Sequence, residues 1–149
     1  MIRTLLPALF LLSAVLAIPA FADDPAGKED KAGSSATGTR VFEMRTYITN
    51  EGKMEALHKR FREHTNRLFR KHGMEIVGYW TPQDEKDGKA DTLVYLLAYP
   101  SRDAADASWK AFRDDPEWKA VVQESHKGGV LVKKVESVFM DPTDYSPIK

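Results

Sequence analysis

The amino-acid sequence predicts an α+β protein: a ferredoxin-like β-α-β-β-α-β sandwich built on an antiparallel four-stranded sheet. Three observations carry this reading. An alternating run over residues 41–49 is followed by a long amphipathic helical pattern over 51–72. Two further strand-like runs, 74–81 and 91–99, flank a polar, turn-rich loop. A second helical region and a last alternating run over 130–140 complete the order.

In the first strand Phe42, Met44, Thr46 and Ile48 share one face, and Val41, Glu43, Arg45 and Tyr47 the other, a period of two typical of a strand. The more apolar set, Phe42, Met44 and Ile48, is expected to face the helices. Asn50 reads as the N-cap of the helix that follows. Within that helix Met54, Leu57, Phe61, Thr65, Leu68 and His72 recur at spacings of three and four and form one inward stripe. Lys59, Arg60, Arg62, Arg67, Arg70 and Lys71 fall mostly off it, and Gly73 suits the position after the helix end. His72 reads as a partner of the helix C-terminal dipole.

Pro82 closes the second strand, and Asp87-Gly88 marks a turn before the third. The centre of the third strand, Leu93 to Leu97, is apolar on both faces, so it should be central and covered on each side. Ser101 reads as the N-cap of the second helical region. Asp115-Pro116 restarts that helix, because proline fits a first helical turn. Trp109, Phe112 and Trp118 supply core packing, and Gly128-Gly129 stops the helix before the last strand.

The residues before this domain read differently. Arg3, an apolar run from Leu5 to Leu16 and Ala20-Phe21-Ala22 resemble a secretory signal peptide over 1–22. The apolar run is shorter than the roughly 20 residues of a membrane-spanning helix, so no stable membrane insertion is expected after cleavage. Residues 23–39 hold no aliphatic or aromatic side chain larger than Ala and Pro and read as a flexible linker to a domain over 40–149. The expected location is outside the cytoplasm, periplasmic or secreted. The chain has no cysteine, so core burial and association must stabilise it. Its 22 basic and 22 acidic residues balance, which argues against a dedicated nucleic-acid binder.

Both helices cross between strands and so cover the same face of the sheet. The other face is then left for a second copy, a ligand, or both, and an isologous homodimer that forms a barrel is the simplest closed arrangement. On the expected facing, Glu43, Arg45 and Tyr47 line that cavity, with Trp80 and Tyr95 as aromatic walls. Arg45 would hold an anionic group, Glu43 would act as a base and Tyr47 as a hydrogen-bond donor. The alternative for Glu43 and Arg45 is a structural ion pair that fixes sheet geometry. His58, His64, His72 and His126 form no zinc-binding spacing, and no nucleophile elbow, phosphate loop or dinucleotide fingerprint occurs. No metal or cofactor is therefore expected, beyond a haem held by His126 or His64 as a minor alternative.

Glu43-Met44-Arg45-Thr46-Tyr47, His72-Gly73, Gly78-Tyr79-Trp80, Tyr99-Pro100-Ser101 and Asp115-Pro116-Glu117-Trp118 together resemble the NIPSNAP family of the dimeric α/β-barrel superfamily. The resemblance covers Arg40 to Met140. It implies a ferredoxin-like domain that forms a dimeric α/β barrel. The superfamily includes cofactor-independent monooxygenases and haem-degrading enzymes, while the NIPSNAP branch has no settled reaction. Where that family often carries His and Trp in its third strand, this chain has Tyr95 and Leu97. The expected function is an exported homodimer that binds a small, partly apolar ligand in its cavity. A cofactor-independent monooxygenase using the cavity residues and a structural dimer with a filled core are the alternatives.

Overall fold

A computed structural model of the chain describes residues 40–149. The expected signal peptide, 1–22, and linker, 23–39, lie outside the described residues. The order is β1 (Val41–Thr49), α1 (Met54–Arg60), a π turn (Phe61–Thr65), α2 (Asn66–Lys71), β2 (Glu75–Trp80), β3 (Thr92–Tyr99), α3 (Arg102–Asp114), α4 (Pro116–Ser125) and β4 (Val132–Met140). All neighbouring strands pair antiparallel in the spatial order β2-β3-β1-β4. This is the predicted ferredoxin-like sandwich, with the helices on one face of the sheet.

The first helical segment begins later than its sequence suggests. Residues 51 and 52 form a turn, with Gly52 at a φ of +68°. Asn50 is therefore not the cap. Its Nδ2 instead donates to the Val130 carbonyl (2.8 Å) and its backbone N–H to that of Leu131 (2.9 Å), tying the end of β1 to the entrance of β4. Leu57, Phe61, Thr65 and Leu68 are buried as the stripe predicts, but Arg60 and Phe69 are buried with them. The π turn accounts for the second of these. Its extra residue per turn delays the stripe by about 100°, which brings Phe69 inward. The Thr65 hydroxyl donates to the Arg60 carbonyl across this turn (3.2 Å).

The second helical region behaves as its caps predict. Ser101 accepts from the Ala104 N–H (3.1 Å), and Asp115 accepts from that of Glu117 (2.8 Å) with Pro116 in the first turn of α4. Asp115 also receives Lys71 Nζ and lies 2.7 Å from His72 Nε2, so it joins the end of α2 to the start of α4. His72 thus meets a side-chain carboxylate rather than only its own helix end.

The open face of the sheet carries Met44, Leu96, Val138 and Trp80, with Met44 paired to both Leu96 and Val138 in register. Trp80, Val138 and Met44 are all exposed. Beneath the helices the core centres on Leu57, Leu68, Phe69, Leu93, Tyr95 and Leu97, none more than 2% exposed.

The Asp115 contacts give a pH-dependent contribution of definite sign. The Lys71 and His72 donors, then the Glu117 amide, outweigh a smaller opposing effect of burial and hold its carboxyl well below the usual carboxylate range. Such a group stabilises the fold above its unfolded pKa of 3.8, and the contribution fades as pH falls through that value toward the folded one. Asn caps a helix about as well as Asp, so Asp115→Asn isolates the charge. It is expected to lower Tm at pH 7, with a gap from the wild type that narrows below pH ~4 in thermal melts.

Candidate functional site

The facing of β1 is the reverse of the expected one. Glu43, Arg45 and Tyr47 point beneath the helices, and Met44 points to the open face. Phe42, Thr46 and Ile48 share the Met44 side by strand alternation. The cause is visible at Glu43, which is 1% exposed. Its Oε1 accepts from Arg45 Nη1 and from the Ser137 hydroxyl, both at 2.6 Å. Its Oε2 accepts from Trp109 Nε1 (2.6 Å) and from the Tyr99 hydroxyl (2.8 Å). The charged side of β1 can be buried because every acceptor position on the carboxylate is met and the charge is paired. The more apolar side is left on the open face, where Met44 is exposed while Phe42 remains buried.

Burial alone would raise the Glu43 carboxyl, but the donors from Ser137, Trp109 and Arg45 outweigh it and hold the group below its ordinary value. Burial likewise opposes the Arg45 charge, yet the oxygens of Tyr95 and Tyr47 and the Glu43 carboxylate keep its pKa raised. The Arg45 guanidinium also lies over the Trp109 ring at 4.3 Å from its centroid, a cation–π contact. This arrangement matches the structural ion-pair alternative. A carboxylate saturated by four donors and held ionised is a poor proton acceptor.

Tyr95 pairs with Arg45 in register and is fully buried. Its ring meets Tyr47 at 5.1 Å, Phe61 at 5.4 Å and Tyr79 at 5.7 Å. Burial and then Tyr47 hold its phenol well above the ordinary value, so it stays protonated at neutral pH. Tyr95 is therefore a core residue and does not wall a cavity between two sheets.

Trp80 is placed apart from these residues. A β-bulge at Val77 shifts the register of β2 against β3. It lets Ile76 and Tyr79 both pack toward the core while Trp80 leaves toward the open face. The Trp80 ring folds back over Gly78, where a Cβ would stand 2.8 Å from Cη2. Glycine is needed there for this close approach. At this edge Trp80, Tyr79, Phe61 and Leu93 wall a concavity of about 330 Å³, with His58 and Asn66 among its polar lining. The Tyr79 hydroxyl donates to Asn66 Oδ1 (2.7 Å), which fixes both side chains at its wall.

A second, open groove of about 560 Å³ runs between α1 with the π turn on one side and α4 on the other. Arg60, which the helical periodicity places mostly off the inward stripe, lines it together with Ser125. His64 lines the same groove, and His126 lies at the end of α4. Burial and then the Arg60 charge lower the His126 pKa.

Sequence reasoning missed Tyr99, Trp109, Ser137 and Arg60. The parity of β3 held a clue to the first of these. Leu93, Tyr95, Leu97 and Tyr99 form its core-facing set, and antiparallel pairing puts Glu43 and Arg45 opposite Leu97 and Tyr95.

Comparison with known proteins fits this geometry. The NIPSNAP family profile matches residues 42–147. A NIPSNAP family protein of unknown function from Agrobacterium tumefaciens superposes with a TM-score of 0.65 at 23% identity, covering 76% of this chain and 96% of that one. A second NIPSNAP family protein from the same organism gives 0.65 at 24% identity, covering 74% and 99%. A NIPSNAP-like domain protein from Burkholderia xenovorans gives 0.64 at 17% identity, covering 74% and 90%. At these identities the likeness speaks for the fold alone. No curated protein matches the chain.

The Glu43 network makes a quantitative prediction. In Glu43→Gln one end of the amide must present N–H groups either to Trp109 Nε1 or to Arg45, neither of which can accept. The loss should approach the ~3–5 kcal/mol of a broken buried pair. Glu43→Gln combined with Arg45→Met should recover part of it. Urea unfolding of the two variants checks this, and a Glu43→Gln midpoint equal to that of the wild type would rule out the network as a stabilising element.

Proposed function

The chain belongs to the NIPSNAP family, and from that premise we propose that it acts as an exported homodimer binding a small, partly apolar molecule at the β2 edge of each subunit. The observation that carries the binding reading is the concavity beside Trp80. It is of ligand size, and its aromatic walls carry a few fixed polar groups, the usual make-up of a small-molecule site. This moves the ligand away from Glu43, Arg45, Tyr47 and Tyr95, whose buried contacts belong to the core, and keeps Trp80. A catalytic reading with Glu43 as base loses its support, since the carboxylate is saturated.

Pairing of two copies is supported by the exposed apolar side chains of Met44, Val138 and Trp80 on one sheet face, more than a free surface usually gathers in one place. Export is supported by the leader-like sequence of residues 1–22.

Two measurements test these parts separately. Sedimentation at micromolar concentration should show a dimer for the wild type and a monomer for Leu96→Lys, which places a charge at the centre of the open face. A wild-type monomer would exclude the pairing. Native mass spectrometry of the protein isolated from its own cell envelope should show a bound small molecule. That molecule should be lost in Trp80→Ala and retained in Arg45→Met. Retention in Trp80→Ala would place the ligand elsewhere.

A further inference from the structure

Two arginines are drawn beneath the helices, Arg45 and Arg60, and they are treated differently. Arg45 has Glu43. Arg60 is only 7% exposed and joins no ion pair among the described residues. Its Nε has no hydrogen-bond partner, and its Nη1 makes one long contact, 3.4 Å, to the Ser125 hydroxyl. The Trp118 ring supports the guanidinium at 5.3 Å without neutralising it. Burial lowers the pKa of Arg60, and the nearby oxygens of Tyr47 and Tyr95 only partly offset this. A buried cation without a counterion is costly, and native structures seldom keep one without a use.

The surroundings say what such a cation suits. Arg60 lines the groove between α1 and α4, which carries the side chains of Ala56, Ala120 and Val121 beside it. The π turn begins at the next residue, Phe61, and π turns inside helices gather at functional sites. Glu63 and Glu124 also line the groove. Their charges disfavour a phosphate dianion more than a singly charged group, and the planar guanidinium edge matches a carboxylate.

We propose that the groove between α1 and α4 binds an amphipathic monocarboxylate, with its carboxylate on Arg60 and its apolar body along Ala56, Ala120 and Val121. This site is separate from the concavity beside Trp80 and does not depend on it.

The test uses octanoate, with octan-1-ol and inorganic phosphate as controls, on the purified mature protein. Titration calorimetry should show octanoate binding and neither control binding comparably. The Trp118 indole N–H resonance should move on addition of octanoate. Arg60→Met should weaken octanoate roughly tenfold or more, the loss expected for a charged hydrogen bond, while Arg113→Gln, at an exposed arginine lining neither site, should leave it unchanged. Val121→Phe fills the groove without touching the cation and should also abolish binding, which keeps the test decisive if Arg60→Met does not fold. Octanol or phosphate binding as tightly as octanoate would overturn the assignment. So would octanoate failing to bind, or binding undiminished in Val121→Phe. Loss of the Trp80 site alone would leave the octanoate result intact, so the two readings fail separately.

Discussion

The Glu43 carboxylate is the constraint on which the rest of this domain depends. It lies on a central strand and accepts from its own strand through Arg45, from β3 through Tyr99, from β4 through Ser137 and from α3 through Trp109. One side chain thus binds three strands to the helical layer. An ionised carboxylate withdrawn from water loses several kcal/mol of solvation unless donors replace the water, and here four do. Because side chains alternate along a strand, fixing Glu43 inward fixes Arg45 and Tyr47 inward and Met44 outward. The apolar open face is therefore a consequence of a polar decision made one residue away.

That dependence explains which parts of the fold were legible in the sequence. The elements and their order were, because periodicity and caps are local: Ser101 and Asp115-Pro116 mark their helix starts with side chains that bond within three residues. The facing of β1 was not. Ranking the two faces by hydrophobicity favours Phe42, Met44 and Ile48 for the core, and it ignores that a Glu and an Arg two residues apart can satisfy each other. The donors that complete the network stand 56, 66 and 94 residues from Glu43. No local window contains them. Asn50 failed for a related reason: its side chain has a distant partner, the Val130 carbonyl, which competes with the cap.

The candidate sites were legible in part. Trp80 was found as one of the aromatic side chains expected to wall a cavity, although the bulge that turns it outward leaves no mark in the sequence. Tyr95 was placed with it on residue type, and its parity with Arg45 puts it in the core instead. Arg60 was set aside as one of a run of charged residues on the solvated side, although it stands three residues after Leu57 and next to Phe61, at the edge of the inward stripe. Only Phe69, which follows the π turn, owes its inward facing to the extra residue.

The two buried arginines show how one residue type can serve different ends within a single core. Arg45 has a carboxylate at 2.6 Å and an indole face at 4.3 Å, and its charge is consumed in holding the sheet. Arg60 has an indole face and a hydroxyl but no carboxylate. Were stability the only demand on Arg60, a methionine of similar reach would fill the position without a desolvated charge, since apolar replacement of buried ions is often neutral or favourable. A guanidinium kept at the wall of a groove and held by contacts that leave its charge uncancelled is arranged for a partner that arrives from outside. The same accounting separates the two sites chemically. The concavity beside Trp80 offers aromatic surface with the Tyr79–Asn66 pair and an Arg62 already paired with Glu55, whereas the groove at Arg60 offers a buried guanidinium without a carboxylate partner beside methyl groups, with Lys59, Glu63 and Glu124 also lining it.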